Sequence, residues 1–116
     1  IPISGTVRDA ARLLVETGCP ILAVVTPQEE LAGVITNWDI TQAASRGPIE
    51  GTTLDKVMTQ RVITASPSDS ILDMVRKLEH HEISAMPVVE DGKVKGMIST
   101  DILSRRSLYR LLLSQS

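Results

Sequence analysis

A cluster of polar residues stands where an apolar strand gives way to a predicted helix. It reads Thr-Asn-Trp-Asp over residues 36–39, directly after the apolar run 33–35. Thr36 is expected to begin the helix, where free backbone N–H groups favour an anion. Asp39 follows one turn later, and its carboxylate oxygens can accept hydrogen bonds from a ligand. These residue types and their spacing predict a binding site for a small polar ligand.

The same spacing also has a purely structural interpretation. A Thr followed three residues later by Asp, just before an apolar helix, is a near match to the capping box, which satisfies the backbone N–H groups at a helix start. Capping and ligand binding are compatible. Both roles therefore stay open for Thr36 and Asp39 at this stage.

A second cluster, Ser99-Thr100-Asp101, follows the segment over residues 94–98, which is predicted to be a strand. One residue separates its first hydroxyl from the carboxylate, where the cluster at 36–39 has two. Losing one residue at a helix start turns Asp101 by about 100°. We expect that Asp101 misses the position corresponding to Asp39, or that the helix entry shifts to compensate.

The elements that position these clusters occur twice. The periodicity predicts an order of helix, strand, strand and helix in each half. In the first half these elements span 7–14, 21–25, 31–35 and 37–45, and in the second 71–78, 85–89, 94–98 and 101–113. Thr6, Thr36 and Ser70 are predicted N-caps, and Gly18 is the predicted exit of the first helix. The helix after Ser70 is expected to bury Ile71, Met74, Val75 and Leu78.

This duplication predicts a division into a first repeat over 1–46, a linker over 47–60 and a second repeat over 61–116. The linker is expected to hold a short helical stretch, Leu54 to Met58. A short strand over 62–65 precedes the second repeat. Aligning Val7 with Ile71 places Ile1 opposite Ala65, so the corresponding strand of the first repeat would lie upstream of residue 1. Either the chain has been trimmed there or the first repeat lacks its opening strand, and we favour trimming. The expected fold class is α/β (α+β), and the repeats should face each other across ligand-binding clefts.

Three motifs give the chain a family resemblance. They are Gly33-Val34-Ile35-Thr36-x-x-Asp39-Ile40, Ser84 to Val89 followed by Gly96 to Ser99, and Val57-Met58-Thr59 ahead of Val62 to Thr64. Each half resembles a CBS domain, the regulatory motif named after cystathionine β-synthase, and the tandem resembles a Bateman module. The resemblance implies two small mixed sheets, each with two helices, packed with pseudo-two-fold symmetry.

The resemblance also implies a ligand, namely an adenosine derivative such as AMP, ADP, ATP or S-adenosylmethionine. It assigns the Thr and Asp of the first motif to phosphate and ribose. No permanent cofactor is implied. The expected ligand-binding residues are Ile21, Leu22, Ala23, Thr36, Asn37, Asp39, Ile63, Thr64, Ala65, Met86, Pro87, Ser99, Thr100 and Asp101. The second repeat departs from the pattern in its Ser99-Thr100-Asp101 spacing, and Ala23 stands where that repeat has Pro87.

Composition narrows the function classes. The net charge of −2 and the near absence of aromatic residues disfavour nucleic-acid partners. A single Cys excludes an internal disulfide, and no apolar run is long enough to span a bilayer. We therefore expect a cytoplasmic setting without membrane contact by this chain.

No catalytic constellation stands out, so the chain is not expected to be an enzyme by itself. His80 and His81 are adjacent, point about 100° apart on a helix, and are not expected to chelate a metal. The leading hypothesis is a regulatory module that passes a ligand-induced change to a fused or partner effector. The alternative is a ligand-free assembly module, because resembling proteins commonly form homodimers and the predicted last helix offers an apolar surface. That surface comprises Leu103, Leu108, Leu111, Leu112 and Leu113.

Overall fold

The computed structural model describes residues 1–100 of the chain, and the helix predicted over 101–113 lies outside them. Within the described residues, the predicted element order is confirmed. The elements are α1 (Val7–Thr17), β1 (Ile21–Val25), β2 (Leu31–Thr36), α2 (Asn37–Ser45), a 3-10 turn (Leu54–Lys56), α3 (Ile71–His80), β3 (Ala85–Glu90) and β4 (Lys93–Ser99).

The predicted helix boundaries are set by local hydrogen bonds. The hydroxyls of Thr6, Thr36 and Ser70 each accept the backbone N–H three residues later, as N-caps do. Gly18 ends α1 with φ 65°, a left-handed conformation that glycine adopts at little cost. These caps explain why all three described helices begin at the positions that the sequence predicts.

The strands form two hairpins of the same construction. β1 pairs with β2 and β3 pairs with β4, both antiparallel. In the first hairpin Ile21 lies opposite Thr36, and in the second Ala85 lies opposite Ser99. The register shifts just before Val25 in the first hairpin and just before Val89 in the second. The two repeats are therefore structural copies, and Ser99 occupies the position that corresponds to Thr36.

Each hairpin also receives a parallel contact from the chain that precedes its first helix. The N–H of Ile1 donates to the Ala23 carbonyl and the N–H of Val25 to the Ile1 carbonyl. In the second repeat, Ala65 makes the corresponding pair of bonds with Pro87 and Val89. This bonding confirms the alignment of Ile1 with Ala65.

Two local predictions need correction. The strand predicted over 62–65 pairs only at Ala65 among the described residues, because the next parallel bond, to the Ile63 carbonyl, would need an N–H that Pro87 lacks. Ile71, the first residue of α3, is 43% exposed rather than buried, whereas its counterpart in α1, Val7, is fully buried. Met74 and Leu78 are buried as predicted, and Val75 packs against them.

Each hairpin covers a separate aliphatic core. The first core comprises Val7, Ala10, Leu14, Val24, Ile35 and Leu54, and the second comprises Ala65, Met74, Leu78 and Met86. Leu54, in the linker, is fully buried in the first core. The linker therefore packs against the first repeat through the side chain of Leu54.

The hairpin turns join the repeats to each other. The N–H of Leu31 donates to the Gly92 carbonyl at 3.0 Å, and the N–H of Val94 donates to the Glu29 carbonyl at 3.1 Å. Asp91 and Gly92 have φ values of 52° and 79°, as a tight two-residue hairpin turn requires. These bonds fix one end of the boundary between the repeats.

Candidate functional site

Thr36 and Asp39 form the capping box that their spacing allows. The N–H of Asp39 donates to Thr36 Oγ1 at 3.2 Å, and the N–H of Thr36 donates to Asp39 Oδ2 at 2.9 Å. The Thr36 hydroxyl donates to the same Oδ2 at 3.0 Å. Asp39 is only 8% exposed. The structural interpretation of the motif is therefore confirmed, and one carboxylate oxygen already serves the helix start.

The other oxygen of Asp39 faces the linker. Thr59 donates its hydroxyl to Asp39 Oδ1 at 3.0 Å. The backbone of Thr59 also exchanges two hydrogen bonds with Val34 in β2, at 2.8 and 2.9 Å. Thr59 ends the Val57-Met58-Thr59 motif that contributes to the family resemblance, and the motif alone predicts no role for its hydroxyl. The presence of a hydroxyl in this motif was the feature of the sequence that could have indicated a polar contact.

A cleft of about 530 Å³ lies between the two repeats. The first repeat lines it with the end of the turn before β1 and the start of α2, and the second with the segment that leads into β3. Its lining residues are Pro20, Ile21, Thr36, Asn37, Trp38, Glu82, Ile83, Ser84 and Ala85. The cleft therefore brings together three of the predicted ligand-binding residues: Ile21, Thr36 and Asn37.

The remaining residues predicted for the first cluster lie beside this cleft. Leu22 and Ala23 are half-buried in β1, next to Ile21. Asp39 lies beneath the start of α2, behind Thr36. None of these three is among the residues that line the cleft. A ligand can therefore contact Asp39 only at the small part of its surface that is exposed.

Most of the ligand-binding residues predicted in the second repeat are buried or half-buried. Met86 and Pro87 are fully buried, so their side chains belong to the interior, and Ala65 is buried beside them. Ile63 and Thr64 are half-buried. Ser99 is also buried. The N–H of Thr100 donates to the Ser84 carbonyl at 2.9 Å, and Asp101 lies outside the described residues.

Among the described residues that line the cleft, one carries a charge, and it lies in the second repeat. Glu82 is the charged side chain among the lining residues, and it has a left-handed φ of 53°. Trp38 presents an exposed indole on the opposite side, with 66% of its surface accessible. An indole face attracts a cation, as a carboxylate does. This cleft is therefore suited to a ligand that carries positive charge near an anionic or polar group.

Two carboxylates outside the cleft, Asp9 and Asp69, have lowered pKa values, and both serve turns or caps. The backbone N–H of Thr6 lowers the pKa of Asp9 at the start of α1, and the Thr6 hydroxyl lowers this pKa to a smaller extent. The backbone N–H of Ser66 lowers the pKa of Asp69, and the Lys77 ammonium adds to that effect. Neither group lines the inter-repeat cleft.

Within residues 1–100, no group of three or more His, Cys, Asp or Glu side chains is placed to hold a metal ion. The rings of His80 and His81 are 4.9 Å apart and nearly perpendicular. No helix among the described residues is long and apolar enough to cross a membrane. The Cys19 thiol donates to the Ile21 carbonyl at 3.0 Å, as expected for a packed thiol.

Two hairpin repeats with a cleft between them define a module built of tandem repeats. The family model for the CBS domain matches residues 1–46 and 54–111. The chain belongs to the CBS-domain family, with two copies in tandem, as the motif resemblance predicted.

The chain spans about a fifth of the length of the curated relatives that it matches. It is 37% identical over 101 residues to a homoserine O-acetyltransferase of Methanosalsum zhilinae, covering 86% of this chain and 20% of that protein. An L-aspartate semialdehyde sulfurtransferase of Methanosarcina acetivorans gives the same identity and coverage. This chain therefore corresponds to one part of each of those proteins.

Solved structures resemble the chain throughout. The CBS domain pair of protein MJ0100, in complex with 5′-methylthioadenosine and S-adenosyl-L-methionine, has a TM-score of 0.77 at 30% identity, with 90% of this chain and 87% of that one covered. An acetoin utilization protein (AcuB) from Vibrio cholerae has a TM-score of 0.91 at 21% identity, with coverages of 99% and 86%. The second likeness bears on the fold alone.

Proposed function

We propose that this CBS pair is a regulatory module that senses an adenosine-containing metabolite in the cleft between its repeats. Candidate ligands are S-adenosylmethionine, 5′-methylthioadenosine, AMP, ADP and ATP. Binding changes the relative pose of the repeats and transmits that change to a fused or partner protein in the cytoplasm. The chain itself catalyses no reaction. The observation that carries the proposal is the cleft, which joins the start of α2 to the segment before β3.

Two features favour a ligand with positive charge over a polyphosphate. Glu82 would repel the phosphates of ATP, whereas Glu82 and the Trp38 indole both attract a sulfonium or ammonium group. The MJ0100 pair, crystallised with S-adenosyl-L-methionine and 5′-methylthioadenosine, supports the same ligand class.

A titration that follows Trp38 fluorescence tests this proposal, since Trp38 is the single tryptophan of the chain and lines the cleft. Each of the five candidate ligands is added in turn, with free tryptophan as the inner-filter control, and binding is repeated by calorimetry. We expect saturable binding of S-adenosylmethionine or 5′-methylthioadenosine. If calorimetry and fluorescence both stay flat for all five, the sensor proposal is wrong.

A second candidate function is self-assembly into a homodimer. A groove of about 460 Å³ lies between α1 and α2, and Ala11, Leu14, Val15, Asn37, Ile40 and Thr41 line it. Val15 is 83% exposed at this groove, so the helices present apolar surface to solvent. Exposed apolar surface of this kind favours association with another protein surface.

Sedimentation of the wild type and of Val15→Glu over a range of concentrations tests assembly. The variant adds a charge at an exposed position, so the fold should be retained while an apolar contact is lost. Assembly predicts a dimer for the wild type and a shift toward monomer for the variant. A wild type that remains monomeric at high concentration contradicts this second function.

A further inference from the structure

We infer that Thr59 is a positioning residue for the ligand-binding carboxylate of Asp39 and makes the inter-repeat linker part of the site. The inference rests on the proposed function. Thr59 contacts the site in two independent ways, through its hydroxyl on Asp39 Oδ1 and through its backbone pairing with Val34. No other residue of the linker has both contacts among the described hydrogen bonds.

The first step concerns the orientation of the carboxylate. Asp39 Oδ2 is held by the N–H and the hydroxyl of Thr36, whereas Thr59 is the one donor to Oδ1 among the described residues. The terminal torsion of an Asp side chain is broad, so hydrogen bonds rather than rotamer preference fix it. With a donor on each oxygen, the carboxylate is pinned in one plane, and Oδ1 keeps acceptor capacity for a ligand hydroxyl.

The second step concerns the close approach of the linker. A Cβ placed on Gly33 would lie 2.7 Å from the Thr59 carbonyl oxygen and 3.0 Å from Met58 Sδ. Gly33 therefore leaves the space in which the linker pairs with β2. A Cβ on Gly96, the corresponding position of the second repeat, meets no described atom within 4 Å. The contact with the linker is thus a feature of the first repeat.

Through these contacts, ligand binding at Asp39 can change how the linker pairs with β2. A ligand that bonds to Oδ1 shares that oxygen with the Thr59 hydroxyl, and the same residue carries the backbone pair to Val34. Ligand binding and the pairing of the linker with β2 are therefore coupled, and the coupling is reciprocal. Thr59 itself is exposed, so removing its hydroxyl leaves the cores intact.

The test compares Thr59→Val with Thr59→Ser in the full chain, using S-adenosylmethionine and 5′-methylthioadenosine as probes. Val removes the hydroxyl and keeps a β-branched shape, and Ser keeps the hydroxyl. By calorimetry we expect Thr59→Val to bind roughly tenfold more weakly, as for the loss of a hydrogen bond to a charged group. Thr59→Ser should stay within about threefold of the wild type. Thr59→Ala repeats the hydroxyl deletion with a smaller side chain, in case the Val variant folds poorly.

Ser70→Ala is the matched control for a loss of stability alone. It removes the N-cap hydroxyl of α3, far from Asp39, and should lower the unfolding free energy without changing probe affinity. Amide hydrogen exchange adds a readout of coupling: probe binding should slow exchange at Val34 and Thr59 in the wild type and have less effect in Thr59→Val.

The outcomes separate the inference from the function on which it rests. If the wild type binds neither probe, the proposed function fails. If the wild type binds and the Val and Ala variants bind equally well, Thr59 does not position Asp39 and the inference is wrong. If affinity falls in Ser70→Ala as much as in Thr59→Val, the effect follows stability and the inference is also overturned.

Discussion

Asp39 and Thr36 hold each other through three hydrogen bonds of 2.9 to 3.2 Å, all between residues at the start of α2. Thr6 and Asp9 form the same reciprocal pair at the start of α1, with bonds of 3.1 and 3.2 Å. Residues 1–100 therefore contain two capping boxes, of which one adjoins the inter-repeat cleft. The box at α1 is a natural control for the box at α2.

Replacing Asp39 by Asn should separate capping from ligand binding. The amide oxygen can still accept from Thr36, and the amide nitrogen can donate to the Thr59 hydroxyl, so the fold should persist. The acceptor at Oδ1 is lost, however, and we expect affinity for S-adenosylmethionine to fall by roughly tenfold or more. Calorimetry measures this loss. Asp9→Asn, the matched change in α1, should leave the affinity unchanged, and unaltered affinity in Asp39→Asn would remove Asp39 from the site.

Replacing Gly33 by Ala should destabilise the first repeat. The new Cβ would lie 2.7 Å from the Thr59 carbonyl oxygen, a backbone atom that can move only by displacing the linker. We expect a loss of roughly 1–3 kcal/mol in unfolding free energy, as for other overpacked sites. Urea unfolding measures the loss. Gly96→Ala has open space at its Cβ and should change stability by less than about 0.5 kcal/mol; equal effects for the two variants would contradict the close approach.

Acid should destabilise the protein through Asp9 and Asp69. Hydrogen bonds from Thr6 and Ser66 lower the folded-state pKa values of these carboxyls below their ordinary value of 3.8. A lowered folded-state pKa contributes stability above the unfolded-state pKa, and that contribution is lost as the pH falls through the folded-state pKa. The urea midpoint should therefore fall as the pH drops below about 4. Asp9→Asn together with Asp69→Asn should flatten this dependence; an unchanged slope would assign acid unfolding to other groups.

Replacing Glu82 by Gln should change the order of ligand affinities. Removing a negative charge from the cleft weakens attraction for a cationic ligand and relieves repulsion of phosphates. We expect the affinity ratio of S-adenosylmethionine to ATP to fall by roughly fivefold in low salt, where electrostatic effects are strongest. Fluorescence titration of Trp38 gives both affinities. Glu90→Gln, in a carboxylate outside the cleft lining, is the control, and an unchanged ratio in Glu82→Gln would exclude a role in selectivity.

Much of the local structure follows from the sequence because its causes are local. The caps at Thr6, Thr36 and Ser70 join residues three positions apart, so the order of side chains is enough to predict them. The hairpins follow from apolar strands that flank turn residues such as Asp91-Gly92. The duplication predicted the equivalence of Ile1 with Ala65, and the family resemblance followed from motifs that lie on these local elements.

Tertiary structure decided the contacts between distant parts of the chain. The bond from Thr59 to Asp39 joins residues 20 positions apart, and Leu54 reaches the core of the first repeat from the linker. The Thr64 carbonyl accepts the ammonium of Lys77, 13 positions along the chain. Such contacts depend on the path of the backbone after packing, since many distant partners could satisfy the same donor or acceptor. The sequence by itself therefore determined the two repeats and their capped helices, whereas packing decided how the linker reaches the polar site between them.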